Sequence, residues 1–315
     1  MLADLPQFLR SSESELYREE ALGTVETNNQ DTACLRKPWL QDTAFLENVK
    51  SWNPLAMQFR LWWLGQSGFL IGYRNDFVLI DPYLSDSLTH KYAGTSKPHV
   101  RLMERAVDPL LLNFISLTIA THEHTDHHDP ETIRPLLTVN PSMQLMVPNA
   151  MQDLSIARTG IIPCNLLLAD EGRTIRVGSF DITGIASAHE SVEYNERGMC
   201  RYLGYILRFG NWTVYHSGDT IRYPGLDRAL RRFEIDVAIL PINGRDSTRG
   251  VAGNLRPDEA AQLARDVGAR VAIPCHYDMF AFNTADPEEF RASCETYRQR
   301  YDILSVGGHM DSSEL

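Results

Sequence analysis

The sequence lacks the features that mark secreted, membrane-spanning and nucleic-acid-binding proteins. Its five cysteines are scattered and include no CxxC pair, which predicts reduced thiols rather than a disulfide framework. No apolar run approaches the ~20 residues that a membrane span needs, and the polar opening stretch lacks the apolar segment of a signal peptide. The formal net charge of −11 argues against a general attraction to nucleic acid or anionic membranes. We therefore expect a cytoplasmic protein with neither kind of partner.

The chain divides into an N-terminal extension, residues 1–55, and one domain, residues 56–315. In the domain, short apolar runs typical of strands, such as FRLWWL and FVLI, are separated by turn residues. Gly210-Asn211 predicts a two-residue hairpin turn between two of these runs, and the last run is YDILSV near the C-terminus. Asp129 and Asp286 each precede Pro-Glu, a pattern that predicts the start of a helix. Strands that alternate with helices indicate an α/β fold in which helices cover the sheets.

Histidine is also scarce, with ten in the chain, yet four of them lie in the ten residues THEHTDHHDP that begin at Thr121. This stretch directly follows the apolar run SLTIA. We interpret the run as a buried strand and the cluster as the loop where that strand reaches the surface. The next helix begins no earlier than Pro130, so the loop has the irregular backbone that several converging ligands need.

Four further polar residues occupy the same kind of position. Asp81, His189, Asp219 and His276 each follow an apolar, strand-like run. Strands that end at one edge of a sheet would bring these side chains to the cluster. A structural alternative exists for each of them, because an aspartate can cap a turn and a single histidine is often part of a core. An exposed histidine-rich loop without metal is the corresponding alternative for the cluster.

The spacing H-x-H-x-D-H supplies imidazole and carboxylate ligands that suit zinc, manganese or iron. His122 and His124 can share one ion, while Asp126 and His127 face a second. His189 completes the first set, His276 completes the second, and the two oxygens of Asp219 can bridge. Two ions ~3.5–4 Å apart would hold a hydroxide between them. We expect Asp81 to orient a ligand histidine and Asp126 to orient the nucleophile or move a proton.

These motifs resemble those of the metallo-β-lactamase superfamily, and most of all its UlaG-type members, which are relatives of L-ascorbate-6-phosphate lactonase. The resemblance covers residues 58–315 and rests on LWWLGQSGFLI, LIDPYLSDS, IATHEHTDHHD, YHSGDT, IDVAILPING and VAIPCHYDMF. It implies an αββα sandwich, that is, two mixed β-sheets flanked by helices, with a dinuclear manganese or zinc centre at one edge. It also implies hydrolytic activity and a homo-oligomer. The implied metal ligands are His122, His124, Asp126, His127, His189, Asp219 and His276, with Asp81 in support.

Two positions refine this resemblance. The ascorbate-phosphate lactonases do not all have a histidine where His189 stands, so its presence brings the chain nearer to ordinary dinuclear hydrolases. Diiron, oxygen-reducing members of the superfamily have glutamate at the position of His124, so His124 favours hydrolysis over redox chemistry.

The resulting hypothesis is a metal-dependent hydrolase that opens a lactone or ester by attack of a metal-bridging hydroxide. A phosphorylated sugar lactone is one such small-molecule substrate. The candidates to bind its phosphate are the basic residues of the insertion after LIDPY, namely Lys91, Lys97, Arg101 and Arg105, and the arginines of later loops. Among the latter, Arg222, Arg245 and Arg249 are favoured because they lie close in sequence to predicted metal ligands. A phosphodiesterase of the phospholipase D or nuclease type is the alternative, because the same ions suit attack on phosphorus. A non-catalytic metal-binding protein is a third reading.

Overall fold

The computed structural model describes residues 35–53 and 57–315 of the chain. The part from Leu35 to Leu315 forms one compact unit. Most of the predicted extension, residues 1–34, lies outside the described residues.

The first sheet has seven strands: β1 (Phe59–Gly65), β2 (Gly68–Tyr73), β3 (Asp76–Ile80), β4 (Leu117–Ile119), β5 (Gln144–Pro148), β6 (Leu166–Ala169) and β13 (His309–Asp311). Their spatial order is β13-β1-β2-β3-β4-β5-β6. The pairs from β13 to β3 are antiparallel, whereas β3, β4, β5 and β6 are parallel. The sheet is therefore mixed, and β3 and β4 end side by side.

The second sheet has six strands: β7 (Thr174–Val177), β8 (Phe180–Ala186), β9 (Leu203–Phe209), β10 (Trp212–His216), β11 (Val237–Pro241) and β12 (Val271–Cys275). Neighbouring strands follow one another in chain order. The strands from β7 to β10 pair antiparallel, and β10, β11 and β12 pair parallel. This sheet is also mixed, and it includes the predicted hairpin at Gly210.

The helices are α1 (Asp42–Ser51), α2 (Ser87–Lys91), α3 (Pro130–Val139), α4 (Gln152–Thr159), α5 (Leu226–Leu230), α6 (Pro257–Val267) and α7 (Pro287–Tyr297). Short 3₁₀ helices lie at Pro109–Leu111, Asn149–Met151, Pro163–Asn165, Ser247–Arg249 and Ser312–Glu314. The two predicted helix starts are confirmed, since Asp129 accepts a hydrogen bond from the Glu131 amide and Asp286 from the Glu288 amide. Helix α4 contacts β5 of the first sheet, whereas α6 contacts β11 and β12 of the second.

The hydrophobic core lies between the two sheets. Phe59 of the first sheet meets Phe209 of the second with ring centroids 5.3 Å apart. The rings of Tyr73 and Phe180 are 6.3 Å apart across the same interface. Phe45 of α1 is also fully buried in this core, so part of the segment assigned to the extension packs with the domain. The structure confirms the predicted sandwich of two mixed sheets flanked by helices.

The last strand is not where the apolar pattern placed it. YDILSV, residues 301–306, makes a single bridge, from Tyr301 to Ala272, and the final strand is β13, which begins three residues after this run. Leu304 and Val306 are buried, so their side chains account for the apolar pattern without a continuing strand ladder. Among the described residues, no helix combines the length and the apolar character needed to cross a membrane.

Candidate metal centre

The strand ends of both sheets meet at one edge of the sandwich. The predicted ligand residues that follow β4 come from the first sheet, and those that follow β8, β10 and β12 come from the second. Their ligand atoms form two groups, each with all atoms within 4.8 Å of one another. The first group is His122, His124, His189 and Asp219, and the second is Asp126, His127 and His276. All seven residues that the sequence singled out as ligands are thus brought together.

The first group presents nitrogen atoms toward one point. Nε2 of His122 lies 2.9 Å from Nδ1 of His124. Nδ1 of His189 lies 3.0 Å from the carbonyl oxygen of Gly253 and donates a hydrogen bond to it. The other ring nitrogen of His189, Nε2, is buried and has no hydrogen-bond partner among the described residues. The backbone therefore fixes the ring through Nδ1, and the lone pair of Nε2 faces the group.

The second group lies beside the first, and Asp219 reaches both. Its Oδ1 lies 3.4 Å from Nε2 of His127, and its Oδ2 lies 3.6 Å from Nε2 of His276. Oδ2 of Asp126 lies 3.6 Å from each of the same two nitrogens. The position of Asp219 between the groups suits the bridging role that was predicted for it.

Asp81 supports the second group through hydrogen bonds with Thr121 and His127. Its side chain is fully buried and accepts hydrogen bonds from the amide of Thr121 at 2.8 Å and from the Thr121 hydroxyl at 2.7 Å. The same carboxylate lies 2.6 Å from Nδ1 of His127. Because a carboxylate only accepts, Nδ1 carries the hydrogen and Nε2 turns toward Asp219. Asp81 adopts a left-handed backbone conformation with φ 46°, which aspartate tolerates better than most residues.

The electrostatics of the groups follow from burial and close opposite charges. Burial and the neighbouring imidazoles hold the pKa of His122 well below its usual value. Burial opposes protonation of His127, but the carboxylates of Asp219 and Asp81 outweigh it and raise the pKa of His127 well above its usual value. Burial likewise disfavours the charged form of Asp219, yet His127 and His276 hold the pKa of Asp219 well below its usual range.

The donor set fits a divalent metal. Nε2 of His127, Nε2 of His189 and Oδ1 of Asp219 are buried without a hydrogen-bond partner among the described residues. A buried polar atom without a partner costs about 1–3 kcal/mol. Imidazole nitrogens and carboxylate oxygens at this spacing are the ligands that zinc and manganese take.

Gln66 belongs to the centre, although the sequence did not single it out. It lies in the turn between β1 and β2, and its Nε2 donates a hydrogen bond to Oδ2 of Asp126 at 3.0 Å. The main-chain carbonyl oxygen of Gln66 accepts a hydrogen bond from the His276 amide at 3.0 Å. The GQSG motif is typical of a turn. Nothing in it indicates the contacts that Gln66 makes with Asp126 and His276.

A cavity of about 390 Å³ opens above the centre, and its floor includes His124, Asp126 and His276. One wall comes from the β3–β4 segment, residues 81–116, which contributes Lys91, Tyr92, Lys97 and His99. Residues 250–252 and Arg158 of α4 complete the lining, and Nζ of Lys97 donates a hydrogen bond to the Gly250 carbonyl oxygen. Neither His99 nor Arg158 was singled out from the sequence, because their spacing from the histidine cluster follows no motif.

The three arginines predicted to bind phosphate are placed differently. Among the described residues that line this cavity, none is Arg222, Arg245 or Arg249. Arg222 is held by the carboxylates of Asp227 and Asp266, and Arg245 forms a paired hydrogen bond with Glu259. Arg249 comes nearest, since it donates a hydrogen bond to Asn283, which does line the cavity. The cationic groups that the structure brings to the cavity are Lys91, Lys97 and Arg158.

Comparisons with known proteins agree with this architecture. The model of the beta-lactamase superfamily domain matches residues 77–277, more than half of the chain. A UPF0173 metal-dependent hydrolase of Sinorhizobium medicae is 28% identical over 251 residues, which cover 78% of this chain and 97% of that protein.

Two solved structures share the fold. A possible metal-dependent hydrolase from Veillonella parvula aligns with a TM-score of 0.65 at 18% identity, over 81% of this chain and 99% of that one. The metallo-beta-lactamase fold protein YhfI from Bacillus subtilis aligns with a TM-score of 0.58 at 17% identity, over 81% of this chain and 100% of that one. With its two mixed sheets, its strand-end clusters and a matching domain model, the chain belongs to the beta-lactamase superfamily and has the metallo-β-lactamase fold.

Proposed function

We propose that the protein is a metal-dependent hydrolase in which the two groups hold a pair of divalent cations, manganese or zinc. The observation that carries this proposal is the set of buried ligand atoms on His127, His189 and Asp219 that have no hydrogen-bond partner among the described residues. The names of relatives such as the Sinorhizobium medicae protein support it. His122, His124, His189 and Asp219 would hold one cation, and Asp126, His127 and His276 the other, with Asp219 between them.

The side chains around the cations have distinct tasks in this proposal. Two divalent cations bound together lower the pKa of a water molecule toward neutrality and polarise the group that it attacks. Asp81 keeps Nε2 of His127 free to act as a ligand by binding its Nδ1. Gln66 holds Asp126 and the His276 backbone in position from one side. Asp126 is placed at the cavity floor, where it can orient the attacking water.

We propose a lactone or ester with a negatively charged group as the substrate, and a phosphorylated sugar lactone fits this description. The UlaG-type motifs support the lactone, and the cavity walls support the charge, because Lys91, Lys97 and Arg158 line them. Lys91 is exposed, and its ammonium donates a hydrogen bond of 3.4 Å to the hydroxyl oxygen of Thr125. Its charge is thus available to an anionic ligand.

The deciding experiment is elemental analysis of the purified protein, followed by assays of its manganese and zinc forms. The substrate panel contains a phosphorylated lactone, a neutral lactone and bis(p-nitrophenyl) phosphate. Metal-dependent opening of a lactone supports the proposal. Turnover of the phosphate diester alone would instead assign a phosphodiesterase, and a metal-loaded protein without turnover on the panel would contradict the hydrolase proposal.

The position of Lys91 at the cavity leads to a prediction about the charge of the substrate. We expect Lys91→Ala to raise KM for a phosphorylated lactone about 10-fold, because a hydrogen bond between charged groups is lost. KM for a neutral lactone should stay within a factor of about two. Lys50→Ala, at the exposed end of α1, is the control and should change neither value. An equal rise for both lactones would reject the role of Lys91 in binding the charged group.

The cytoplasmic location and the homo-oligomeric state expected from the sequence belong to the same proposal. Sedimentation of the metal-loaded protein tests the oligomer, and a single monomeric species would contradict it.

A further inference from the structure

His99 is a titratable residue in the cavity that is not part of either ligand group. It lies in the β3–β4 segment, is half-buried, and lines the cavity together with Asp126 and His276. A substrate bound over the centre would therefore share the cavity with this imidazole.

The hydrogen bonding of His99 determines which ring nitrogen is free. Nδ1 lies 2.9 Å from the carbonyl oxygen of Lys97. A carbonyl oxygen can only accept, so Nδ1 carries the hydrogen and, in the neutral ring, Nε2 carries the lone pair. Nε2 has no hydrogen-bond partner among the described residues. Burial of the ring lowers the pKa of His99, which favours this neutral form near neutral pH.

Aromatic neighbours hold the ring in one orientation. Tyr92 stacks on it with ring centroids 4.5 Å apart and planes inclined by 27°. Phe280 and Phe282 approach it edge-on at 5.3 Å and 5.5 Å. Such pairs stabilise a fixed geometry beyond the area that they bury. An imidazole fixed in this way, with one nitrogen tied to the backbone and the other free, has the arrangement of a general base or acid.

We propose that His99 is a catalytic residue that carries a proton from the attacking water to the leaving oxygen of the substrate. This inference rests on the proposed hydrolase function and adds a residue to it. As the new bond forms between the water oxygen and the carbonyl carbon, a proton of the water passes to Nε2. When the bond from that carbon to the leaving oxygen breaks, the electron pair stays on the leaving oxygen. Nε2 then returns the proton to it, and the ring is neutral again.

The carboxylate of Asp126, which also lines the cavity, is less free to carry this proton. Oδ2 of Asp126 accepts a hydrogen bond from Gln66 and faces Nε2 of both His127 and His276. Its lone pairs are therefore directed at the ligand groups. His99 is outside those groups, and its free nitrogen can exchange a proton without disturbing them.

The test uses two esters of the same acid, one with p-nitrophenol and one with a simple alcohol as the leaving group. p-Nitrophenolate leaves without a proton, whereas an alkoxide needs one. His99→Asn keeps an amide in reach of the Lys97 carbonyl but has no atom at Nε2. We expect this variant to lose about 10²–10⁴-fold in kcat on the alkyl ester, the usual contribution of general acid–base catalysis. On the p-nitrophenyl ester it should lose less than about 10-fold, because p-nitrophenolate needs no proton and a metal-bound water with a pKa near neutrality can give up its proton to solvent.

The control is His90→Asn, an exposed histidine in α2 of the same segment, which should leave both activities unchanged. Metal content and thermal midpoint are measured for each variant, and we expect both to match the unaltered protein. Equal losses of His99→Asn on the two esters, or a loss that follows metal content, would overturn the role of His99 while leaving the hydrolase function in place. If the unaltered, metal-loaded protein hydrolyses neither ester nor any lactone, the proposed function fails and this inference fails with it.

Discussion

Asp81 illustrates how one buried carboxylate organises the centre at the scale of a residue. It accepts three hydrogen bonds, two from Thr121 and one from His127. The bonds from Thr121 fix the carboxylate next to the first turn of the histidine loop, and the bond from His127 fixes the tautomer of that ring. A ligand histidine oriented in this way binds metal more tightly than a free one.

Asp81→Asn should therefore weaken metal binding about 10–100-fold, because the amide can no longer accept all three hydrogen bonds. The measurement is a competition titration against a chromophoric chelator. Asp181→Asn is the matched control, since Asp181 lies at the far end of β8, pairs with exposed Arg176 and should leave the metal affinity unchanged. Equal affinities of the Asp81 variant and the unaltered protein would show that Asp81 does not support the site.

The metal ligands that the sequence predicted lie within a few residues of the end of an apolar run, as His122 and Asp219 do. Their position is set by local strand geometry, which the pattern reveals. Gln66 also follows such a run, but an amide is not a usual metal ligand, and His99 and Arg158 follow no such run. Their approach depends on how a turn, a long segment and a helix pack, and such long-range contacts leave no periodic trace in the chain.

At the scale of elements, two helices begin with the same tripeptide in different surroundings. Asp129, at the start of α3, is fully buried and also accepts a hydrogen bond from the Thr132 hydroxyl at 2.6 Å. Thr132 in turn accepts one from the Leu84 amide, so this cap joins α3 to the β3–β4 segment. Asp286, at the start of α7, is exposed and bonds the Glu288 amide alone.

Asp129→Ala should consequently cost more stability than Asp286→Ala. We expect a loss of about 1 kcal/mol in the free energy of unfolding for the exposed cap and of at least about 2 kcal/mol for the buried one. Urea denaturation of the two variants at one pH measures the difference. Similar losses would mean that the contacts of Asp129 with Thr132 add nothing to its role as a cap.

Sequence patterns predicted elements well where local chemistry decides them. The helix starts at Asp129 and Asp286 and the hairpin at Gly210 depend on neighbouring residues, and all three are present. The apolar run at 301–306 failed as a strand because burial alone does not distinguish a strand from a packed loop. The β3–β4 segment was predicted only in part, since Lys91 and Lys97 were among the candidate phosphate ligands but the arginines of the later loops were favoured over them.

At the scale of the whole molecule, the candidate centre joins the two sheets. The first group combines His122 and His124 from the first sheet with His189 and Asp219 from the second, and the second group adds His276 to Asp126 and His127. A cation held by such a group binds the folded molecule and not the separated sheets. Binding to the folded state alone raises stability by mass action.

Manganese or zinc should therefore raise the thermal midpoint, and a chelator should lower it. At a free metal concentration about 1,000 times Kd, the gain in unfolding free energy is about 4 kcal/mol per site. Scanning calorimetry with and without metal measures this shift. Asp219→Ala removes the residue that reaches both groups, so its midpoint should respond much less to metal. If the unaltered protein has the same thermal midpoint with metal and with chelator, the proposal that a metal ion connects the two sheets is contradicted.

The split of the ligands between the sheets also orders events during synthesis. His122, His124, Asp126 and His127 leave the ribosome well before His189, Asp219 and His276, and neither group is complete until a residue of the later set has emerged. A nascent chain that ends before His189 carries only partial coordination. In the proposed hydrolase, loading with cations would accordingly be a late step, and a molecule that has acquired them would already have closed both halves of the sandwich.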